Sequence, residues 1–130
     1  GRHGRTMARL MDTMGADVTV ALRRGKDAAW AVLHGLKYCG YDLSDIAQFR
    51  LICNTVPAVV LDERVLKNIG DCSLIIDLAS DSGGVDYKYA LSKNIKVIHA
   101  LSLPGKVAPE TAAENIKRVV YNIIAEDKKR

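Results

Sequence analysis

The chain has 130 residues, 48% of them hydrophobic and 26% charged, which is the balance of one ordinary globular domain. Aromatic residues make up only 5%, so the core has to be built from aliphatic side chains. No apolar run reaches the roughly 18 residues of a membrane span. The basic start has no apolar stretch behind it, so the sequence indicates neither a membrane protein nor a signal peptide.

The net charge of +4 does not by itself indicate a nucleic-acid-binding protein. Much of the excess lies at the two ends of the chain, and no predicted helix carries a basic stripe. A small anionic ligand accounts for the charge equally well. The cysteines Cys39, Cys53 and Cys72 show no Cys-x-x-Cys spacing and no close histidine. They predict free thiols in a reducing cytoplasm and no metal site.

The first part of the chain alternates between helical and strand patterns. Apolar residues recur at helical spacing over residues 7–14, and Gly15 supplies a helix stop. Residues 18–22 form a short, almost wholly apolar run, which is typical of a buried strand. A second helix is predicted over residues 27–34, and a weaker strand over 38–43.

The same alternation continues to the end of the chain. Ser44, Asp62 and Pro109 are residues that favour the first positions of helices. Helices are predicted over 44–48, 62–70 and 86–92 and onward from Pro109, and strands over 51–53, 73–79 and 95–100.

Apolar strands between amphipathic helices predict an α/β fold. We expect a Rossmann-like, doubly wound parallel sheet in a three-layer α/β/α arrangement, as one domain over residues 1–130. The expected strand order is near 3-2-1-4-5-6.

The first residues match part of a dinucleotide-binding glycine fingerprint, G-x-G-x-x-G. Gly1 and Gly4 fit its second and third glycines, and the amides of Arg2 and His3 would face the phosphates from a helix N-terminus. On this interpretation the first glycine and its strand precede residue 1. The fragment alone is then expected to bind nucleotide poorly and to be inactive.

The end of the strand over residues 18–22 bears on the choice of cofactor. NAD sites usually carry an acidic residue there, to hold the ribose 2′-hydroxyl. This chain has Arg23 and Arg24 instead, and arginine binds a 2′-phosphate through charge-assisted hydrogen bonds. The pattern favours NADP over NAD, with a solvated basic turn as the alternative.

Other candidates follow the later strands, where open α/β sheets bind ligands. Those expected to line the nicotinamide and its ribose are Asn54, Thr55, Pro57, Ala79 and Ser80. His99 and Lys106 follow the last strand and are candidate catalytic, substrate-side groups. The alternative for the residues after the earlier strands is ordinary turn formation. The alternatives for His99 and Lys106 are a core histidine and a solvated lysine.

Several stretches resemble the nucleotide-binding component of the dipicolinate synthases over essentially the whole chain. They are Gly-Arg-His-Gly-Arg-Thr-Met-Ala at the start, Asp17-Val-Thr-Val-Ala, Asn54-Thr-Val-Pro-Ala, Ile76-Asp-Leu-Ala-Ser, Gly83-Gly-Val-Asp and Leu103-Pro-Gly-Lys-Val-Ala-Pro-Glu-Thr-Ala.

The resemblance implies the C-terminal nucleotide-binding domain of a two-domain oxidoreductase polypeptide. That polypeptide works with a second, flavoprotein-like polypeptide in sporulating bacteria, and oxidises the dicarboxylate dihydrodipicolinate to dipicolinate with NADP.

Two other interpretations remain open. The layout is similar to that of D-2-hydroxyacid dehydrogenases, but residues 80–84 read Ser-Asp-Ser-Gly-Gly and lack their catalytic arginine. A non-catalytic nucleotide-sensing domain would use the same fold, and turnover of dihydrodipicolinate would distinguish it from an enzyme. A homo-oligomer is also possible.

Overall fold

The structure, a computed structural model, describes residues 2–71, 73–79, 83–99 and 109–128. Side chains are described for residues 4–71, 73–79, 83–99 and 117–126. The chain divides into two compact units, Gly1–Ser44 and Asp45–Arg130.

The first unit contains two helices and two strands. Helix α1 covers Arg2–Thr13, strand β1 Thr19–Ala21, helix α2 Ala28–Leu33 and strand β2 Lys37–Cys39. A 3-10 turn, Gly25–Asp27, leads directly into α2. Strands β1 and β2 pair in parallel, with Val20 opposite Tyr38.

An aliphatic core holds the first unit together. Ala31 is fully buried, and Ala8 of α1 and Leu36 are nearly so. Partly buried residues in β1, directly beside it and in α2 pack against these three, namely Val18, Val20, Leu22 and Trp30. The predicted helix stops are confirmed, because Gly15 and Gly35 adopt φ values of 93° and 67°, which glycine tolerates best.

In its described residues, the second unit has three strands and three helices. In chain order these are β3 (Leu51–Asn54), α3 (Glu63–Leu66), β4 (Leu74–Asp77), α4 (Tyr87–Ser92), β5 (Lys96–His99) and α5 (Pro109–Lys128). The strands form one parallel sheet in the order β3-β4-β5. Its core includes Leu66, Ile75, Ile76 and Val120, each at most 2% exposed.

Parallel strands that alternate with helices confirm the predicted α/β, Rossmann-like class. In a sheet of order 3-2-1-4-5-6, strand 2 pairs with strand 3, and strands 4, 5 and 6 are neighbours in that order. The pair β1-β2 and the order β3-β4-β5 agree with this if β1 to β5 are its second to sixth strands.

Two of the predicted helix starts, Asp62 and Pro109, are also confirmed. Asp62 accepts a hydrogen bond from the Val65 amide at 3.1 Å, and α5 begins at Pro109. The one at Ser44 is wrong, because Asp45 and not Ser44 precedes the 3-10 turn there, and no side chain caps it.

Several predicted elements are shorter in the structure. The helix predicted over residues 44–48 is a 3-10 turn, Ile46–Gln48, because so short a segment gains too few hydrogen bonds to propagate an α-helix. Helix α3 ends at Leu66, and the Asn68 and Ile69 amides then bond to carbonyls three residues back. Strand β2 stops at Cys39, before a turn in which Leu43 has a φ of 50°.

No helix in the described ranges is long and apolar enough to cross a membrane.

Candidate functional site

The start of α1 carries the predicted phosphate-binding positions. Gly4 lies in the first turn of this helix, where backbone amides have no partner within the helix. The backbone of Arg2 and His3 is helical too. Their side chains, and Gly1, lie outside the described part of the chain. The structure therefore gives the predicted anion site a helix N-terminus and leaves the glycine loop before it undescribed.

The turn after β1 is basic and exposed. Arg23 and Arg24 both point into solvent, and Arg23 forms no ion pair with any residue whose side chain the structure describes. Arg24 has its Nε 3.9 Å from an Asp27 oxygen, and the other Asp27 oxygen accepts a hydrogen bond from Arg5 at 3.2 Å. Asp27 is thus the nearest acid along the chain, and two arginines already share its charge.

A groove of about 810 Å³ lies beside this turn within the first unit. Arg5, Arg9, Arg24 and Lys26 line it together with Asp27 and Trp30. The Arg5 guanidinium lies 5.1 Å from the centre of the Trp30 ring, within the range of a cation–π contact. Four cations face one carboxylate, so the groove carries a net positive charge.

In the second unit, two predicted site residues and a third residue between them lie in one row across the sheet. Asn54 pairs in register with Asp77, and Asp77 with His99. Each is the last residue of its strand, so the row marks the carboxyl edge of the sheet. This is the edge at which α/β proteins bind ligands.

Asp77 is the centre of this edge. It is fully buried, and its two carboxylate oxygens accept four hydrogen bonds from residues that the structure describes. Oδ1 accepts from the Asn54 amide at 3.0 Å and the Ala79 backbone at 3.2 Å; Oδ2 accepts from the Gly84 backbone at 2.9 Å and the Tyr87 hydroxyl at 2.5 Å. We call these five residues the Asp77 network.

Burial raises the pKa of Asp77, but the four hydrogen bonds outweigh it and hold the pKa below its usual range. Burial also raises the pKa of Tyr87 strongly, and the hydrogen bond to Asp77 and the negative charge of Asp77 add to that shift. Asp77 is therefore an anion and Tyr87 a neutral donor at physiological pH.

Asn54 uses its side chain inside the protein. Its Nδ2 donates to Asp77 and also to the Val56 carbonyl at 3.0 Å, and its Oδ1 accepts from the Val56 amide at 3.3 Å. Only 6% of Asn54 is exposed. Both hydrogens of Asn54 Nδ2 are thus used inside the protein, and a ligand role for Asn54 stays a prediction. In the turn that follows, Thr55 is half-buried and Pro57 exposed.

The remaining sequence candidates are placed as follows. Ala79 is buried directly after β4, and its carbonyl oxygen lies 3.3 Å from His99 Nε2. His99 is half-buried, and its ring centre lies 5.5 Å from that of Tyr87. Ser80 and Lys106 lie outside the described residues. The register thus brings Asn54 and His99 into the same row, on either side of Asp77.

Sequence reasoning missed Asp77 and Tyr87. One signal was available for Asp77, which is the only charged residue in the apolar run over residues 73–79. A lone carboxylate in a strand buried on both faces has to find several donors. Nothing local marked Tyr87, ten positions further on, as one of them.

No family model matches the chain. Among curated proteins it is 38% identical over 128 residues, 97% of its length, to the A subunit of dipicolinate synthase from Bacillus subtilis (strain 168). The chain is a homologue of this dipicolinate synthase polypeptide. It spans 43% of that relative's length.

Solved structures of dipicolinate synthase share the fold of this homologue. The Bacillus subtilis structure matches 99% of the chain with a TM-score of 0.77 and 36% identity. The Bacillus halodurans structure matches 96% with a TM-score of 0.76 and 32% identity. The chain covers 44% of each of those two polypeptides.

Two glycines of this dipicolinate synthase homologue leave room for the Asp77 network. A Cβ atom on Gly84 would overlap the Asn54 amide and lie 2.7 Å from the Val56 carbonyl oxygen, and one on Gly83 would overlap the Asp77 carboxylate. The Gly83-Gly84 pair therefore allows the backbone to approach the buried charge.

We expect Gly84→Ala to lower the free energy of unfolding by about 1–3 kcal/mol, the usual cost of overpacking a filled site. Urea denaturation measures the loss. Gly25→Ala is the control, because its Cβ would meet nothing within 4 Å; it should change stability by less than about 0.5 kcal/mol. Equal effects of the two substitutions would contradict the tight packing at Gly84.

Tyr87→Phe should destabilise the protein by about 1.5–3 kcal/mol at neutral pH, because it removes a hydrogen bond to a charged group. Asp77 has a lower pKa in the folded than in the unfolded chain, so its ionised form stabilises the fold above about pH 4. That contribution is lost as the pH falls through the folded pKa. The difference between wild type and variant should therefore shrink in acid.

Urea denaturation at about pH 7 and at a series of lower pH values, down to the pH at which the Asp77 carboxyl becomes protonated in the folded protein, tests this dependence. Tyr89→Phe removes a hydroxyl from the same helix and serves as the control. A Tyr87→Phe effect that stays the same after Asp77 is protonated would show that the hydroxyl does not act through the Asp77 charge.

Proposed function

We propose that this chain is the NADP-binding part of an oxidoreductase that forms dipicolinate from dihydrodipicolinate. The observation that carries the proposal is 38% identity to a dipicolinate synthase polypeptide across 97% of the chain. The relative is named as a subunit, which supports a partner polypeptide for the whole protein. On the family resemblance described above, we propose that this partner is flavoprotein-like and that the two work in the cytoplasm of a sporulating cell.

The first unit supports NADP as the cofactor. The strand β1 ends at Ala21, and the turn that follows offers Arg23 and Arg24 where an NAD site would offer an acid. Asp27, the nearest carboxylate along the chain, is paired with Arg5 and Arg24. A 2′-phosphate at this turn would thus meet cations and no unpaired carboxylate. Arg23 is the more available of the two arginines, because Arg24 already interacts with Asp27.

The helix N-terminus of α1 supports a role in holding phosphates. The amides around Arg2, His3 and Gly4 lie in its first turn, and the helix dipole favours an anion there. We assign the pyrophosphate to these amides. NAD, which lacks the 2′-phosphate, remains the alternative cofactor.

The second unit supports a role in the reaction itself. The oxidation removes two electrons and two protons from the substrate ring, as a hydride and a proton. When bound, NADP supplies the hydride acceptor. We assign the proton to His99, at the carboxyl edge of the sheet, and the binding of a substrate carboxylate to Lys106. We further assign Thr55, Pro57, Ala79 and Ser80 to the walls around the nicotinamide and its ribose.

Steady-state kinetics of the protein with its partner polypeptide test the proposal. Oxidation of dihydrodipicolinate is followed through formation of NADPH or NADH. We expect turnover with NADP, and a fall of about 10- to 100-fold in kcat/KM for NADP in Arg23→Ala, since a hydrogen bond to a charged group contributes about 1.5–3 kcal/mol. The kcat/KM for NAD should change little.

Arg64→Ala, which removes an exposed arginine from α3, is the matched control and should behave as wild type. If Arg23→Ala has no effect on either cofactor, the 2′-phosphate assignment is wrong. Binding of NADP without any turnover would favour a nucleotide-sensing domain over an enzyme.

A further inference from the structure

Among the described residues of the second unit, His99 contacts Ala79 and Tyr87, and each is a direct partner of Asp77. Its Nε2 lies 3.3 Å from the Ala79 carbonyl oxygen, and its ring packs against the ring of Tyr87 at 5.5 Å between centres. The Ala79 amide donates to Asp77 Oδ1, and the Tyr87 hydroxyl donates to Asp77 Oδ2. The buried carboxylate therefore fixes both surfaces against which the imidazole lies.

The contact with Ala79 determines which ring nitrogen carries the proton. A carbonyl oxygen only accepts hydrogen bonds, so Nε2 has to be the donor. In a neutral imidazole the other nitrogen, Nδ1, then holds the lone pair and is the basic atom.

We propose that Asp77 is a positioning residue that, through Ala79 and Tyr87, holds His99 in its Nε2–H tautomer and leaves Nδ1 to accept the substrate proton. The tautomer stands on the geometry of the second unit alone, whereas the proton transfer rests on the proposed function.

The reaction balances with Nδ1 as the acceptor. One C–H bond of the dihydropyridine ring would break with its electron pair, which would leave as a hydride to the acceptor that NADP supplies when bound. A second ring hydrogen leaves as a proton to Nδ1, and its bonding pair stays behind to complete the aromatic ring. His99 becomes an imidazolium with protons on both nitrogens and returns its proton to solvent after release of the product.

The chain contains an internal reference for the tautomer. His34 has its Nδ1, and not its Nε2, 2.8 Å from a carbonyl oxygen, that of Trp30. By the same argument the neutral form of His34 carries its proton on Nδ1. The two histidines should therefore give opposite patterns in one spectrum.

The test is ¹⁵N NMR of the protein labelled at histidine, at a pH where the rings are neutral. His99→Gln and His34→Gln assign the signals. We expect Nε2–H for His99 and Nδ1–H for His34. Tyr87→Phe and Asp77→Asn should shift His99 toward a mixture of tautomers and leave His34 unchanged, and Tyr89→Phe should leave both unchanged.

Kinetics on the same variants test the proton transfer. We expect His99→Gln to lower kcat by about 100-fold, the lower range for loss of a general base. Tyr87→Phe should lower kcat by roughly 10-fold, through misorientation of the base, with KM nearly unchanged.

An Nδ1–H tautomer in the wild type, or a His99 tautomer that ignores both Asp77→Asn and Tyr87→Phe, would overturn the positioning role. Full kcat in His99→Gln would overturn the base. Absence of turnover in the wild type would instead count against the proposed function, and the NMR result would still decide the positioning role of Asp77.

Discussion

A carboxylate without access to water has to be surrounded by donors, and the carboxyl edge of the second sheet is organised around that requirement. An unpaired charge at the Asp77 position would cost several kcal/mol, since burial strongly disfavours the charged form. Its four donors come from the end of β3, from the chain just after β4, from the glycine pair and from α4. One charge thus ties together the segments that would form the ligand-binding edge of this unit.

The need to surround Asp77 with hydrogen-bond donors also explains why the carboxyl edge of the second sheet is built from small and amide-bearing residues. Gly83 and Gly84 are needed because a side chain at either position would occupy the space of the network. Asn54 is suited to its position because one amide group satisfies both Asp77 and the backbone of Val56. Buried networks whose members are all hydrogen-bonded are rigid, and a rigid support suits the positioning role proposed for Asp77.

Much of the fold could be predicted from the sequence, because its determinants are local. The apolar runs marked all five strands of the described chain, Gly15 and Gly35 ended helices, and Asp62 and Pro109 began them. Element lengths were less predictable. Strand β4 ends at Asp77 rather than at Ala79, since the Asp77 side chain takes the Ala79 amide into a turn.

The candidate site was predictable only in part. Strand ends marked Asn54 and His99, and parallel register then places them in one row. The use of the Asn54 amide inside the protein, and the partnership of Asp77 with Tyr87, depend on contacts between distant segments. In the first unit the sequence showed a basic turn, but it did not show that Asp27 would be shared between Arg5 and Arg24.

The ionisation of Asp77 tests this account most directly. It can be followed by ¹³C NMR of the labelled aspartate carboxyl carbon as the pH is lowered, with the signal assigned through Asp77→Asn. The account predicts that Asp77 stays ionised below the ordinary aspartate value of about 3.9, because its four donors outweigh the effect of burial. A midpoint at or above that value would contradict it, since the carboxyl group would then be an ordinary or a protonated acid with no charge to organise the edge of the sheet.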